Sequence, residues 1–284
     1  NVLHFVDASD DFLAALDGLV EPEAKRKAIG QTFVDVFERE ARRLGIEGHL
    51  LGQGTIYPDT IETGGTKRSH VIKTHHNRVP IIEEMIAAGR VIEPLAEPYK
   101  VEVRALVEQL GVPHDLAWRH PFPGPGLGVR LLCSTGDDAA PDVADALATA
   151  AANTGLVAQA MPIKSVGVKA DLRSYEHPVM LTGDADWETL LSVSRRMLAD
   201  VPDINRCVWN LSPEAPATLG SVAATMTRDR LDVLREADHL VMEGLQRHGL
   251  YDEIWQCPTA MIPLSTGSGT ELVVIRPVYS ERAM

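Results

Sequence analysis

Apolar residues recur at helical spacing between Pro22 and Gly45. Ile29, Phe33, Val36, Phe37, Ala41 and Leu44 follow one another at steps of three and four. A proline at the head and a glycine at the tail are start and stop signals, so the pattern predicts one long amphipathic helix. HLLGQG (49–54) reads as a short apolar strand ending in glycine. RVPIIEEMIAAG (78–89) predicts a second helix and VIEPL (91–95) a second strand. KVEVRALVEQLGVP (100–113) predicts a third helix, capped by Gly111 and closed by Pro113. Strand, helix, strand, helix implies a parallel α/β sheet. Ligands bind such sheets beyond the carboxyl ends of the strands, and GQGT (52–55) lies at one of those ends.

Beyond Arg130 the pattern changes. Residues 134–154 are rich in Asp and Ala and broken at Pro141, which predicts a loop and then a short helix. KSVGVKADLRSY (164–175) is strand-like. A helix follows, with Trp187, Leu190, Leu191, Ser194, Met197 and Leu198 expected on one face, and then the strand NRCVWNL (205–211). A long helix is expected from about Arg228 to Arg247. Two strands, EIWQCPTAMIPL and ELVVIRPVYS, flank the flexible STGSGT. Long helices between hairpin-like strands predict an α+β unit with a largely antiparallel sheet. The chain is therefore expected to hold two units, residues 1–130 and 131–284, which its 284 residues allow.

The junction is HPFPGPGLGVR, His120 to Arg130. Proline fixes φ and removes a donor, while glycine bares the main chain, so alternating them makes a stiff turn that a ligand can approach. A rigid elbow that binds nothing would use the same residues. The net charge of −13 argues against a general nucleic-acid or membrane-surface binder but leaves room for a local basic site. Three widely spaced cysteines without a CxxC pattern suggest a reducing compartment and exclude a thiolate metal site. No apolar stretch spans a bilayer and no signal peptide is visible, so the cytoplasm is the expected location.

Several segments occur in a fixed order. They are PEAKRKAIGQTFVDVFERE (22–40), LGQGTIYPDTIET (51–63), IKTHHN (72–77), VIEPL, HPFPGPGLGVR, MPIKSVGVKADLRSY (161–175) and DINRCVWN (203–210). Together they resemble GMP synthetase, the family that aminates xanthosine monophosphate (XMP), and the likeness covers nearly the whole chain. The later part resembles the eukaryotic-type enzyme with its enlarged dimerisation region. The fold implied is a partial parallel-sheet ATP-pyrophosphatase domain (adenine nucleotide α-hydrolase-like) with a lid, followed by an α+β dimerisation domain truncated at its C-terminus. An SGGVDS-type ATP phosphate loop and a glutamine amidotransferase domain are absent, so the chain is expected to be part of a larger protein and inactive alone. The implied chemistry is ATP-dependent adenylation of XMP followed by displacement of AMP by ammonia, with Mg2+ as cofactor. The ammonia would come from an amidotransferase domain or subunit, and a homodimer is expected. A non-catalytic dimerisation or nucleotide-binding module is the alternative. An NAD synthetase of the same superfamily is a third reading, against which HPFPGPGL and DLRSY argue.

Lys25, Arg26 and Lys27 place three cations at the positive end of a helix, a local conflict that points mildly to function, although charge alone favours a solvated basic turn. By the resemblance they sit in the lid, with Arg26 on XMP and Lys25 and Lys27 toward ATP. Gly54 and Thr55 would face ATP, and Asp59 and Glu62 would bind Mg2+, which takes oxygen ligands and shares them with phosphates. From the residues alone, a strand-to-loop turn with capping acids is the better reading of this loop. In IKTHHN the adjacent histidines point to opposite faces of an extended segment and no third ligand has zinc spacing, so zinc is rejected. Lys73 or His75 would touch phosphate instead. Gly124 and Gly126 would wall the XMP site. The resemblance brings Asp171, Arg173 and Gln256 to the substrate nucleotide, Arg173 through its planar bidentate fork.

Overall fold

The computed structural model describes residues 3–46, 48–62, 80–122, 124–169, 172–212, 216, 218–267 and 270–280. In chain order the elements begin with helices α1 (Ser9–Leu16) and α2 (Pro22–Leu44), strand β1 (Leu51–Gly52) and helices α3 (Tyr57–Glu62) and α4 (Pro80–Ala87). Strand β2 (Val91–Ile92) and helices α5 (Lys100–Gln109) and α6 (His114–Ala117) lead to a 3-10 turn at Gly126–Val129. Then come α7 (Ala144–Ala150), β3 (Val157–Ala160), β4 (Ser165–Lys169), β5 (Leu172–Thr182), α8 (Trp187–Asp200) and β6 (Ile204–Trp209). The remainder is β7 (Gly220–Ser221), α9 (Arg228–Arg247), β8 (Thr259–Ile262), β9 (Leu264–Ser265) and β10 (Leu272–Ile275). The architecture is mixed α/β, with a small parallel sheet and several antiparallel pairings.

The predicted α2 runs from the expected proline to the expected glycine. Pro22 is its first residue, and Gly45 caps it at φ 66° while donating to the Ala41 and Arg42 carbonyls. Its apolar stripe is only partly covered, with Ile29 packed against the buried cluster around Leu16 and Leu131. Phe33 is 62% exposed, and Ile29, Phe33, Phe37 and Ala41 line a large cleft. The side chains it buries are Lys25, Thr32 and Val34. β1 and β2 pair in parallel, as strand–helix–strand connectivity requires, with Leu51 opposite Val91.

β5 organises the later part. It pairs antiparallel with β3 and β4 and parallel with β6. Its pleat sends Val179 and Leu181 to one face and Met180 to the other. The first face is covered by Leu147 of α7 and by Leu190, Val193 and Met197 of α8. On the other, Met180 packs with Met161, Ile163, Ile262 and Leu264. α8 therefore buries Leu190, Val193 and Met197, whereas Trp187 is 68% exposed, which corrects the expected face. β10 pairs antiparallel with β8, Leu272 opposite Ile262. A third cluster joins Leu16, Leu131, Cys133, Met226, Leu234 and Met261, tying α1 and α9 to the chain that follows the junction.

The β4–β5 hairpin, which leads to Asp171 and Arg173, is braced from β6. Asn205 donates through Nδ2 to the Ser165 carbonyl at 2.6 Å and accepts from the Ser165 hydroxyl at 3.1 Å. Arg206 donates to the Val166 carbonyl at 2.7 Å. Gly167 makes this approach possible, because a Cβ there would sit 2.8–2.9 Å from three Asn205 side-chain atoms. Gly167→Ala should therefore destabilise the protein by about 1–3 kcal/mol through overpacking and loss of the amide network, read as a lower urea midpoint at unchanged slope.

Asp186 caps α8 by accepting from the Thr189 amide at 2.8 Å. That backbone hydrogen bond, and then the Thr189 hydroxyl, hold its carboxyl below the ordinary aspartate range. A depressed folded value means that the stabilisation is present above the unfolded value and fades as pH falls through the folded one. Asp186→Ala should lower the melting temperature near neutrality, and the gap from the parent should close on acidification.

Candidate functional site

The proline–glycine turn is fastened at both ends. His120 stacks on Tyr251 with ring centroids 4.1 Å apart and planes 12° from parallel. Its Nε2 lies 2.7 Å from the Tyr251 carbonyl, so that nitrogen carries the proton and donates. At the other end the Arg130 guanidinium lies over the Phe122 ring, 4.4 Å from the centroid, and 3.4 Å from the Asp238 carboxylate of α9. Arg130 is 7% exposed. Burial pushes it below its ordinary value, and Asp238 pulls it back up. Between the anchors, Gly126 takes φ +61°. Gly128 lies so close to α2 that a Cβ there would meet the Ile29 methyl at 2.8 Å.

This turn forms one wall of a cleft of about 2720 Å³. α1 and α2, the loop after β1 and the start of α9 supply the other walls. Of the predicted site residues, Arg26, Lys27, Gly54, Asp59, Gly124 and Gln256 all line it. Arg26 pairs with Glu23 one turn earlier. Asp59 accepts from the Ile56 amide at 3.1 Å, which fixes the start of α3. Gln256 is held by paired backbone bonds with Val278, whose amide donates to the Gln256 carbonyl at 2.8 Å.

The other predicted residues lie elsewhere. Thr55 is fully buried beside Gly54 and is not part of the cleft wall. Lys25 does not share the cleft with its neighbours. Its ammonium is buried and donates to the Leu131 carbonyl at 2.8 Å. Lys73, His75 and Asp171 fall outside the described residues. Glu62 ends α3, and Arg173 pairs through its backbone with Val168, but the side chains of both are likewise outside the described part. Among the described residues no cluster of three or more His, Cys, Asp or Glu side chains could hold a metal ion.

The cleft also holds cations that the sequence did not single out. Lys100, at the head of α5, lines it. Burial and then the nearby Arg104 push the Lys100 ammonium below the ordinary lysine value, Asp59 pulls it back up, and Arg119 lowers it further. Behind it Arg104 is sandwiched between Trp118 and Trp255, 5.2 and 4.5 Å from the ring centroids, and donates to the Arg119 carbonyl at 2.8 Å. The Arg at the fifth position of KVEVR was readable only as part of a helix. Its burial depends on tryptophans 14 and 151 positions away, as the numbering shows.

The cleft thus brings the cations Arg26, Lys27 and Lys100 together with the Asp59 carboxylate, glycine backbone at Gly54 and Gly124, and Gln256. Residues 150–220 match the GMP synthase C terminal domain family. The whole chain is similar to a protein from Leptospira interrogans serogroup Icterohaemorrhagiae named "Probable GMP synthase [glutamine-hydrolyzing]". That match is 40% identical and covers 98% of this chain and 47% of the relative. A "GMP synthase [glutamine-hydrolyzing]" from Clostridium botulinum is 44% identical, over 75% of this chain and 46% of its own length. Over most of its length the chain is similar to GMP synthases, and its residues 150–220 match their C-terminal domain. It spans about half the length of the curated relatives it matches.

Gly126→Ala tests whether the turn geometry is required. A non-glycine residue at that φ costs about 1–2 kcal/mol, so the variant should unfold at a lower temperature by that margin. An unchanged melting curve would mean that the turn relaxes freely.

Proposed function

We propose that this chain supplies the synthetase half-reactions of a GMP synthase: ATP-dependent amination of XMP to GMP through an adenylated intermediate. The C2 oxygen of XMP attacks the α-phosphorus of ATP and releases pyrophosphate. Ammonia, delivered from a glutamine amidotransferase domain or subunit, then displaces AMP at C2. The observation that carries this reading is the convergence of Arg26, Lys27, Gly124 and Gln256 on one cleft in a chain similar to GMP synthases over nearly its whole length.

In this reading residues 1–130 form the nucleotide-activating part, with an ATP-pyrophosphatase fold. Residues 131–284 form the dimerisation and XMP-binding part of a cytoplasmic homodimer. Arg26, Asp171, Arg173 and Gln256 hold XMP, with Gly124 and Gly126 giving its phosphate access to bare backbone. Lys27, Gly54, Lys73 and His75 belong to the ATP side, and Lys100, on the cleft wall, joins them. Asp59 and Glu62 would hold Mg2+. Carboxylates spread along the cleft wall, with no metal-holding cluster among the described residues, fit an ion brought in on nucleotide phosphates better than a cage built by protein alone. The ion supplies charge neutralisation on the phosphates when bound.

Positioning and electrostatics then carry the catalysis, since the cations lie where charge develops on leaving pyrophosphate and no covalent enzyme intermediate is needed. Enclosure of the cleft by α2 keeps water from the adenylated intermediate. Arg26→Ala and Arg173→Ala, each in the full-length protein, should weaken XMP binding by about tenfold to a hundredfold, equivalent to about 1.5–3 kcal/mol for a charged hydrogen bond. Isothermal titration checks this, and parental affinity in both variants would overturn the assignment.

A further inference from the structure

Outside the cleft, Lys25 and Cys133 meet in the interior. Lys25 Nζ lies 3.0 Å from Cys133 Sγ, and the two residues are 2% and 5% exposed. The ammonium is held in place by its second bond, to the Leu131 carbonyl at 2.8 Å. Arg230 approaches the same sulfur at 3.9 Å while its guanidinium is clamped by Glu271. Both Lys25 and Cys133 line a small cavity of about 20 Å³, shared with Lys164 and Tyr175. That is enough for one water-sized molecule beside the sulfur. Burial pushes the Cys207 and Cys257 thiols above the ordinary range, away from the reactive thiolate.

We propose that Cys133 and Lys25 form a reversible sulfenamide cross-link when the protein meets hydrogen peroxide. Cys133 Sγ attacks one peroxide oxygen, the O–O bond breaks, and water leaves. The sulfur is thereby oxidised by two electrons to a sulfenic acid and the peroxide is reduced. Sulfenic acids condense with a nearby nitrogen. The Lys25 amine, having released a proton, attacks the sulfur, the S–O bond breaks, and a second water departs as the S–N bond forms. The sum is one thiol, one ammonium and one peroxide giving one sulfenamide, two waters and one proton. A thiol reductant cleaves the S–N bond and restores both side chains. The bond would fix the first turn of α2 to residues 131–133, next to Arg26 and Lys27.

The test uses full-length protein exposed to hydrogen peroxide, alkylated without reduction, digested at acidic residues and analysed by tandem mass spectrometry. The expected result is a peptide pair joined through Lys25 and Cys133, lighter by two hydrogens than the sum of its parts and released by dithiothreitol. Cys133→Ser and Lys25→Arg should each abolish the joined pair, whereas Cys207→Ser and Cys257→Ser should retain it. The proposal is overturned if wild-type Cys133 is recovered as an alkylated thiol, as sulfinic or sulfonic acid alone, or in a disulfide with Cys207 or Cys257.

Discussion

A buried guanidinium holds the junction together. Arg130 has lost nearly all its water, and the Phe122 ring face and the Asp238 carboxylate offset part of that cost. Phe122 belongs to the proline–glycine turn and Asp238 to α9, while the Arg130 carbonyl accepts from the Met261 amide of β8 at 2.9 Å. One residue therefore sets the position of the turn relative to the longest late helix and the strand that follows Gln256. The next residue extends the linkage, since the Leu131 carbonyl receives the Lys25 ammonium and draws in α2. The cleft walls meet where these bonds converge.

The exposed apolar stripe of α2 has a related cause. A helix with Phe33 and Phe37 on one side would ordinarily turn them to a core. Here they border the cleft, and the helix is anchored one turn before Ile29 through a buried lysine. The cost of burying that ammonium is offset by a carbonyl and a sulfur aimed at it. Helix orientation is thus set by polar anchoring as much as by apolar burial, and it leaves Arg26 and Lys27 directed toward the hollow.

Much of this was legible in the sequence. Pro22 and Gly45 marked α2, Gly111 and Pro113 marked the end of α5, and the Arg228–Arg247 helix was read at both ends, because capping chemistry is local. The parallel pairing of β1 and β2 followed from connectivity. β3 was missed because VAQA is built from small residues whose strand character comes only from pairing with β5. The buried face of α8 was misread because Trp187 weighs heavily in any periodicity yet stays in solvent. Lys25 was grouped with Arg26 and Lys27 by adjacency, although successive helix positions point about 100° apart. Lys100, Arg104 and Asp238 carried no signal, since their partners are distant in the chain.

The most direct measurement is a crystal structure of the full-length protein with XMP. The account predicts the nucleotide lodged between the Gly124–Gly126 turn and Gln256, with its phosphate within hydrogen-bond reach of Arg26. XMP bound in another hollow, with Arg26 and Gln256 turned away from it, would contradict the account.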